Sequence, residues 1–441
     1  MKKILHKLLI ATLLVCGFVQ VTSGQTSPYT LGSLGFMQSA GFTQHSLMGG
    51  LSGSLRDKGD FSLVNPASLS ALTETSLQTG SFIDIIEQKS ATKRNTDNHG
   101  DFGHFALGLP ISIKKNIGFA AGLNRMTSMD YTIPNTTTEN GEDVLNIFAG
   151  KGSVNRFQTA LGIQVAKGLS LGAEASFIFG NTEEIVDKQF IDNRSIFSTR
   201  NTKTNYYSGV RYTGGVQYTG QIFKSKQFVL GLFATPKTSI TMSRDELVQT
   251  YNYQGNFYID TISNRKDAQF SQDLPLEIGA SLSFGNEDVW NLGVEYSAAK
   301  WSDITPRSSD NAYFDQESIT IGGYWQREKA ELKSRNASST QRVQGYLNMS
   351  RLYYGFNMQN LYTGVVNQQV QQMTFSLGIG LPLMKPYSLE GTKYVMVSRI
   401  NIGLEYTIRG NTDPGMIQEN IFGIKFGLTL SDKWFIKRKY Q

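Results

Sequence analysis

Phe422-Gly423-Ile424-Lys425-Phe426-Gly427-Leu428-Thr429-Leu430 puts a large apolar side chain at every even position and Gly, Lys or Thr at every odd one. Successive side chains of a strand point to opposite faces, so one face of this stretch meets oil and the other something small or wet. Met396 to Arg409 repeats the pattern, with Ser398, Ile400, Ile402, Leu404, Tyr406 and Ile408 set against Arg399, Asn401, Glu405, Thr407 and Arg409. Alternation this regular over this length predicts a barrel wall in lipid.

Working back from there, alternating runs between turn signals predict about fourteen strands, at 74–88, 101–110, 116–132, 154–166, 168–188, 205–222, 227–250, 268–285, 289–302, 315–327, 349–362, 370–381, 395–409 and 417–430. The expected fold is all-β, a transmembrane antiparallel up-and-down β-barrel spanning 74–430 with an N-terminal luminal plug. Connections at Lys167-Gly168, Phe223 to Lys226 and Gly285 to Asp288 read as tight, and 133–153, 189–204 and 251–267 as long polar loops. Outer-membrane barrels have short periplasmic turns and long outer loops, so the tight set, with both chain ends, is expected on the periplasmic side. The connection 328–348 departs from this rule by being long on that side.

Residues 1–24 read as a signal peptide: Lys2, Lys3 and Lys7 precede the apolar run Leu8 to Val19, and Thr22-Ser23-Gly24 offers small residues for cleavage. The run is too short for a retained membrane helix. Cys16, the only cysteine, lies within it behind Val15, so the mature chain is expected to carry no disulfide and no lipid anchor. The +6 formal charge includes the three leader lysines, which leaves too mild a charge to argue for nucleic acid. Abundant Gly, Phe and Tyr (44, 26 and 20) suit the close strand approach and aromatic girdles of a barrel.

Residues 25–73 do not read as strands. They are glycine-rich, carry apolar Leu47, Met48, Leu51 and Leu55, and hold a helix-start signal at Asn65-Pro66, where Asn65 caps and Pro66 takes the first helical position. Ahead of a wide barrel, such a segment is expected to act as a plug and gate, with Leu47, Met48, Leu51, Leu55, Asn65 and Pro66 as its working residues. The tail 431–441, with Trp434-Phe435 and Lys437-Arg438-Lys439, is expected to lie on the periplasmic side at headgroup depth.

Ser46-Leu-Met-Gly-Gly-Leu-Ser-Gly-Ser-Leu followed by Asn65-Pro66-Ala67-Ser68 resembles the FadL family of outer-membrane long-chain fatty acid transporters. Tyr353-Tyr354-Gly355-Phe356, Gly378-Ile379-Gly380-Leu381-Pro382 and Gly403-Leu404-Glu405-Tyr406 look like a FadL-like branch common in Bacteroidetes. The resemblance implies a fourteen-stranded barrel with a hatch, apolar pockets and a gap in the wall through which a greasy ligand leaves sideways. It extends to PorV-type barrels, which serve a secretion system without transport.

Two functions follow as expectations. One is uptake or binding of fatty-acid-like hydrophobic small molecules, gated by the plug, without covalent chemistry or cofactor. The other is a non-transporting accessory barrel that engages an envelope protein partner. Outer-membrane lipid is an expected partner in both cases. Inward-facing Glu174, Arg211, Glu277, Glu295, Arg399, Glu405, Arg409 and Lys425 read as a structural ion-pair network, because buried charge must be paired. Within it Arg399 and Arg409, with Glu405 and Arg211 beside them, are the candidates to hold a ligand carboxylate, since a guanidinium grips one with two bonds. No enzyme is expected: only His45, His99 and His104 remain after the leader, and the spacing of His99 and His104 near Asp97 and Asp101 fits no standard metal site.

Overall fold

A computed structural model describes residues 27–39, 41–90, 93–139, 141–190, 197–223, 226–252, 257–286, 289–305, 313–327, 346–365, 368–389 and 392–433. The expected leader, most of the 328–348 connection and nearly all of the basic tail lie outside these residues. Fourteen antiparallel strands form the wall: β1 Thr75–Lys89, β2 Arg94–Ser112, β3 Ile117–Glu139, β4 Glu142–Ala166, β5 Leu169–Phe190, β6 Ser198–Phe223, β7 in two segments Lys226–Thr235 and Thr238–Asn252, and β8 in two segments Phe257–Leu274 and Glu277–Asn286. They continue with β9 Trp290–Ala299, β10 Gln316–Gln326, β11 Arg351–Val365, β12 Gln368–Leu389, β13 Thr392–Arg409 and β14 Gln418–Asp432. β14 pairs with β1 from Gln418↔Lys89 to Asp432↔Thr75 and closes the barrel. Closure leaves no edge to be satisfied by lipid.

The alternation sets which face is which. Phe422 and Phe426 point outward and exposed, whereas Thr429 and Ser431 are buried in the lumen. Leu377, the most exposed of the outward leucines at 64%, and the ring-bearing Tyr218, Tyr296, Trp325, Tyr354 and Tyr406 sit on the same outer surface. β9 and β10 have 10 and 11 residues, the length that just crosses a bilayer at a tilt. β3 to β6 run to 22–26 residues and rise well past that band.

That rise corrects the expectation of long polar loops at 133–153, 189–204 and 251–267. β3 and β4 stay paired out to Glu139↔Glu142, and β7 and β8 out to Asn252↔Phe257. Beyond the bilayer both faces of a strand meet water, so the alternation that betrays a strand in lipid fades while its hydrogen bonds persist. The same applies at the opposite end, where β12 and β13 pair on to Leu389↔Thr392, past the predicted stops at 381 and 395.

Residues 27–39 and 41–74 lie inside the barrel. Ser27 sits at the end that carries the 410–417 connection: its hydroxyl donates to Glu419 of β14 at 2.9 Å, and Ile417 N–H donates to the Tyr29 hydroxyl at 2.9 Å. Phe36–Met37 forms a short strand on β3, opposite Ser128 and Thr127. The helix Thr43–Ser46 and the 3-10 turn Pro66–Ala71 then lead to β1 at the other end. Ser27 and Asp432 therefore stand at opposite ends of the barrel. The first described residues of the segment are bonded to Asp130 of β3 and Glu419 of β14.

Candidate functional site

The luminal segment is held against the wall by packing, by backbone contact and by ion pairs. Leu47, Met48, Leu51, Leu63, Leu69 and Leu72 are all at most 2% exposed, each burial contributing about 1.5–3 kcal/mol against exposure. Leu55 is partly buried and packs against the Leu47, Met48 and Leu51 cluster. Wall glycines make room: a Cβ at Gly172 would overlap Pro66 and Ala67, and one at Gly322 would overlap the Met48 carbonyl. Asn65 accepts from Ala67 N–H and donates Nδ2 to the carbonyls of Gly53, Val216 and Leu232 at 2.9, 3.2 and 3.3 Å. Pro66 opens the turn because it needs no N–H there.

Beneath the segment, towards the start of β1, Arg351 of β11 reaches Asp57 at 3.4 Å and lies over the Tyr324 ring at 4.0 Å. Burial pushes the Asp57 carboxyl up, but Arg351, Arg399 and the Gly59 N–H together outweigh it and hold the group below its ordinary range. Arg399 lies in this lower layer and contacts Gln326 at 3.5 Å. It does not line the chamber described next.

Above the segment lies a cavity of about 510 Å³, floored by Phe42, Thr43, Gly49, Gly50 and Val64 and bounded by Phe36 to Ser39. Its lining is mixed: charged side chains share it with Phe36, Phe42, Leu63, Phe82, Phe233 and Ile278. Most of those charges are paired. Lys425 of β14 reaches Glu405 at 3.2 Å and Asp84 at 3.4 Å, Arg409 reaches Glu419 at 3.0 Å, and Arg211 reaches Glu277 at 3.0 Å. Of the four residues proposed for a ligand carboxylate, Arg211, Glu405 and Arg409 are thus brought to one chamber and Arg399 is not.

Two chamber residues differ. Arg156 of β4 donates Nε to Asn124 at 2.8 Å and Nη2 to the Gln38 carbonyl at 3.0 Å, with no carboxylate within 4 Å among the described residues. Glu295 of β9, 8% exposed, accepts from the N–H groups of Ser52 and Gly53 at 3.0 and 2.7 Å through one oxygen, with no cation within 4 Å among the described residues. Sequence reading counted Glu295 among inward charges and passed over Arg156. Its inward parity with Gln158, Ala160 and Gly162, against outward Phe157, Leu161 and Ile163, carried the signal.

The wall is interrupted at the height of this chamber. β6 pairs with β7 up to Gly214↔Ala234 and again from Ser208↔Thr241, so 209–213 has no ladder partner there. Pro236 and Pro275 break β7 and β8 at the same level, since neither can donate a ladder hydrogen bond. Arg211 crosses the interruption and donates Nη2 to the Pro275 carbonyl at 2.7 Å. Ile278, outward-facing and 47% exposed, also lines the chamber. Among the described residues no three His, Cys, Asp or Glu side chains converge on a metal-sized site; His99 lies 3.7 Å from Asp101, and His104 packs on Phe42.

The closed fourteen-stranded barrel is a fold shared with solved FadL-like channels. A Pseudomonas aeruginosa FadL homologue matches at TM-score 0.56 and 15% identity, over 90% of this chain and 98% of its own. The Pseudomonas putida toluene transporter TodX matches at 0.57 and 14%, over 91% and 99%, and the Ralstonia pickettii toluene transporter TbuX at 0.57 and 12%, also over 91% and 99%. No curated protein matches the sequence. The chain belongs to the BamG family, whose model matches residues 1–441.

Proposed function

We propose that the protein is an outer-membrane barrel that binds, and passes sideways into the membrane, a hydrophobic small molecule carrying a polar head. The carrying observation is the charged chamber that meets an interrupted wall at Arg211, Pro236 and Pro275. Desolvating so many charges suits a ligand that brings hydrogen-bonding groups, unlike a bare hydrocarbon. An aliphatic tail can follow Phe233 and Ile278 outward. The luminal segment serves as the gate, with Leu47, Met48, Leu51, Leu55, Asn65 and Pro66 seating it, and the tight turns face the periplasm. The test is native mass spectrometry of protein purified in a neutral detergent: a bound endogenous amphiphile supports this reading.

A second reading is an accessory barrel of an envelope assembly. It is favoured by how firmly the lumen is filled: Leu34, Trp301, Tyr313 and Tyr362 close one end, while the Leu47 and Leu69 clusters fill the other. The tall β3 to β8 wall offers a partner surface beyond the bilayer. Copurification of an envelope protein with ligand-free barrel would favour it.

A further inference from the structure

Eight Asp, Glu, Lys and Arg side chains line the chamber, and their pairing is uneven. Lys425 is shared by Asp84 and Glu405, Arg211 is matched by Glu277 and Arg409 by Glu419. Arg156 and Glu295 alone among the chamber's Asp, Glu, Lys and Arg side chains have no oppositely charged partner within 4 Å among the described residues. They stand on different walls, β4 and β9, and carry opposite signs. Arg156 has Glu174 and Glu277 only as more distant acidic neighbours, and a buried charge without a close counter-charge is costly.

We infer that the chamber takes a zwitterionic head group, its anion on Arg156 and its ammonium on Glu295, with the apolar tail directed to the wall interruption beside Ile278. This rests on the ligand-binding reading above and sharpens it. A guanidinium presents several donors to a phosphate or carboxylate. Glu295 keeps Oε1 uncommitted, because the N–H groups of Ser52 and Gly53 both donate to Oε2. A singly charged amphiphile would leave one of the two walls without its counter-charge. The same carboxylate holds the luminal segment by its backbone, so an ammonium at Glu295 also competes for the oxygen that seats Ser52 and Gly53.

The experiment compares three single-chain amphiphiles of equal tail length, a lysophosphatidylethanolamine, oleate and oleylamine, by equilibrium binding to full-length protein in maltoside detergent. The expected order places the zwitterion tightest by at least tenfold. Arg156→Gln should weaken the zwitterion and oleate at least tenfold and spare oleylamine. Glu295→Gln, which retains an acceptor oxygen for Ser52 and Gly53, should weaken the zwitterion and oleylamine and spare oleate. Binding of oleate as tight as the zwitterion, or equal loss of all three ligands in Glu295→Gln, overturns the inference while the ligand-binding reading stands. Binding of none by the native protein overturns both. Should one variant fail to form a closed barrel, the other with the native ligand order decides.

Discussion

Arg211 of β6 bonds the Pro275 carbonyl at 2.7 Å and the Glu277 carboxylate at 3.0 Å, and so ties β6 to β8 across the stretch where β7 has left the ladder. One side chain thereby substitutes for several missing backbone bonds, which makes the fork geometry matter more than the charge. Arg211→Lys should lower the midpoint of heat-induced mobility change almost as far as Arg211→Ala, because an ammonium cannot reach both acceptors at once. A lysine variant as stable as the native barrel would show that Arg211 does not span the break.

The facing of β14 is tested by adjacent residues. Phe426→Arg puts a charge into lipid and should cost about 2–4 kcal/mol near the midplane. Lys425→Gln leaves Asp84 and Glu405 together in the lumen without their shared cation, and breaking such a group is expected to cost about 3–5 kcal/mol at most. The two effects differ in what repairs them: adding Asp84→Asn should recover stability in Lys425→Gln and do nothing for Phe426→Arg. Equal response of both to Asp84→Asn would mean the register is wrong.

The luminal segment needs wall glycines as seats. Gly172→Val should displace Asn65-Pro66-Ala67, since even a Cβ overlaps backbone there, while β4, β5 and β6 remain paired around it. The expected outcome is a barrel that still resists boiling, with a luminal segment newly cut by protease at Arg56 or Lys58. A variant as resistant to cutting as the native chain contradicts this seating.

Acid should loosen the segment in two stages. Burial lowers the affinity of His45 for its proton, so the folded state prefers neutral imidazole. That preference costs nothing above the unfolded value of about 6.5 and destabilises progressively as pH falls below it. Asp57, held below its ordinary range by Arg351 and Arg399, contributes stability above about 4, lost as pH falls through its folded value. Glu74 works in the opposite direction, because burial and then Asp57 raise it and protonation relieves it. Protection of the amides of residues 42–64, measured against the intrinsic exchange rate at each pH, should therefore be highest at pH 7.5, lower at pH 5.5 and lower still at pH 3.5. His45→Gln should remove the first step, and a flat native profile would contradict the account.

All fourteen strands were legible in the sequence to within a few residues inside the bilayer, because Ile424 and Phe426 alternating with Lys425 and Gly427 is a signal that lipid on one side enforces. Asn135-Thr136-Thr137-Thr138 gave no such signal, since water bathes that part of β3, and the stretch read as loop. The proline breaks at Pro236 and Pro275 were visible as residues, but their common height depends on β7–β8 register, which the sequence does not state. Of the site, Arg211, Glu405 and Arg409 were found by inward parity. Arg399 was found the same way yet belongs to the lower layer, because parity gives a side chain's face and says nothing of its depth. Arg156 obeys the same parity, inward with Gln158 and Ala160.

The central claim is that the charged chamber receives an amphiphile, and the most direct measurement is native mass spectrometry of full-length protein released from a neutral detergent. The account predicts a stoichiometric adduct of amphiphile mass, diminished in Arg156→Gln. A bare barrel that acquires no adduct when incubated with lysophosphatidylethanolamine or oleate would contradict it.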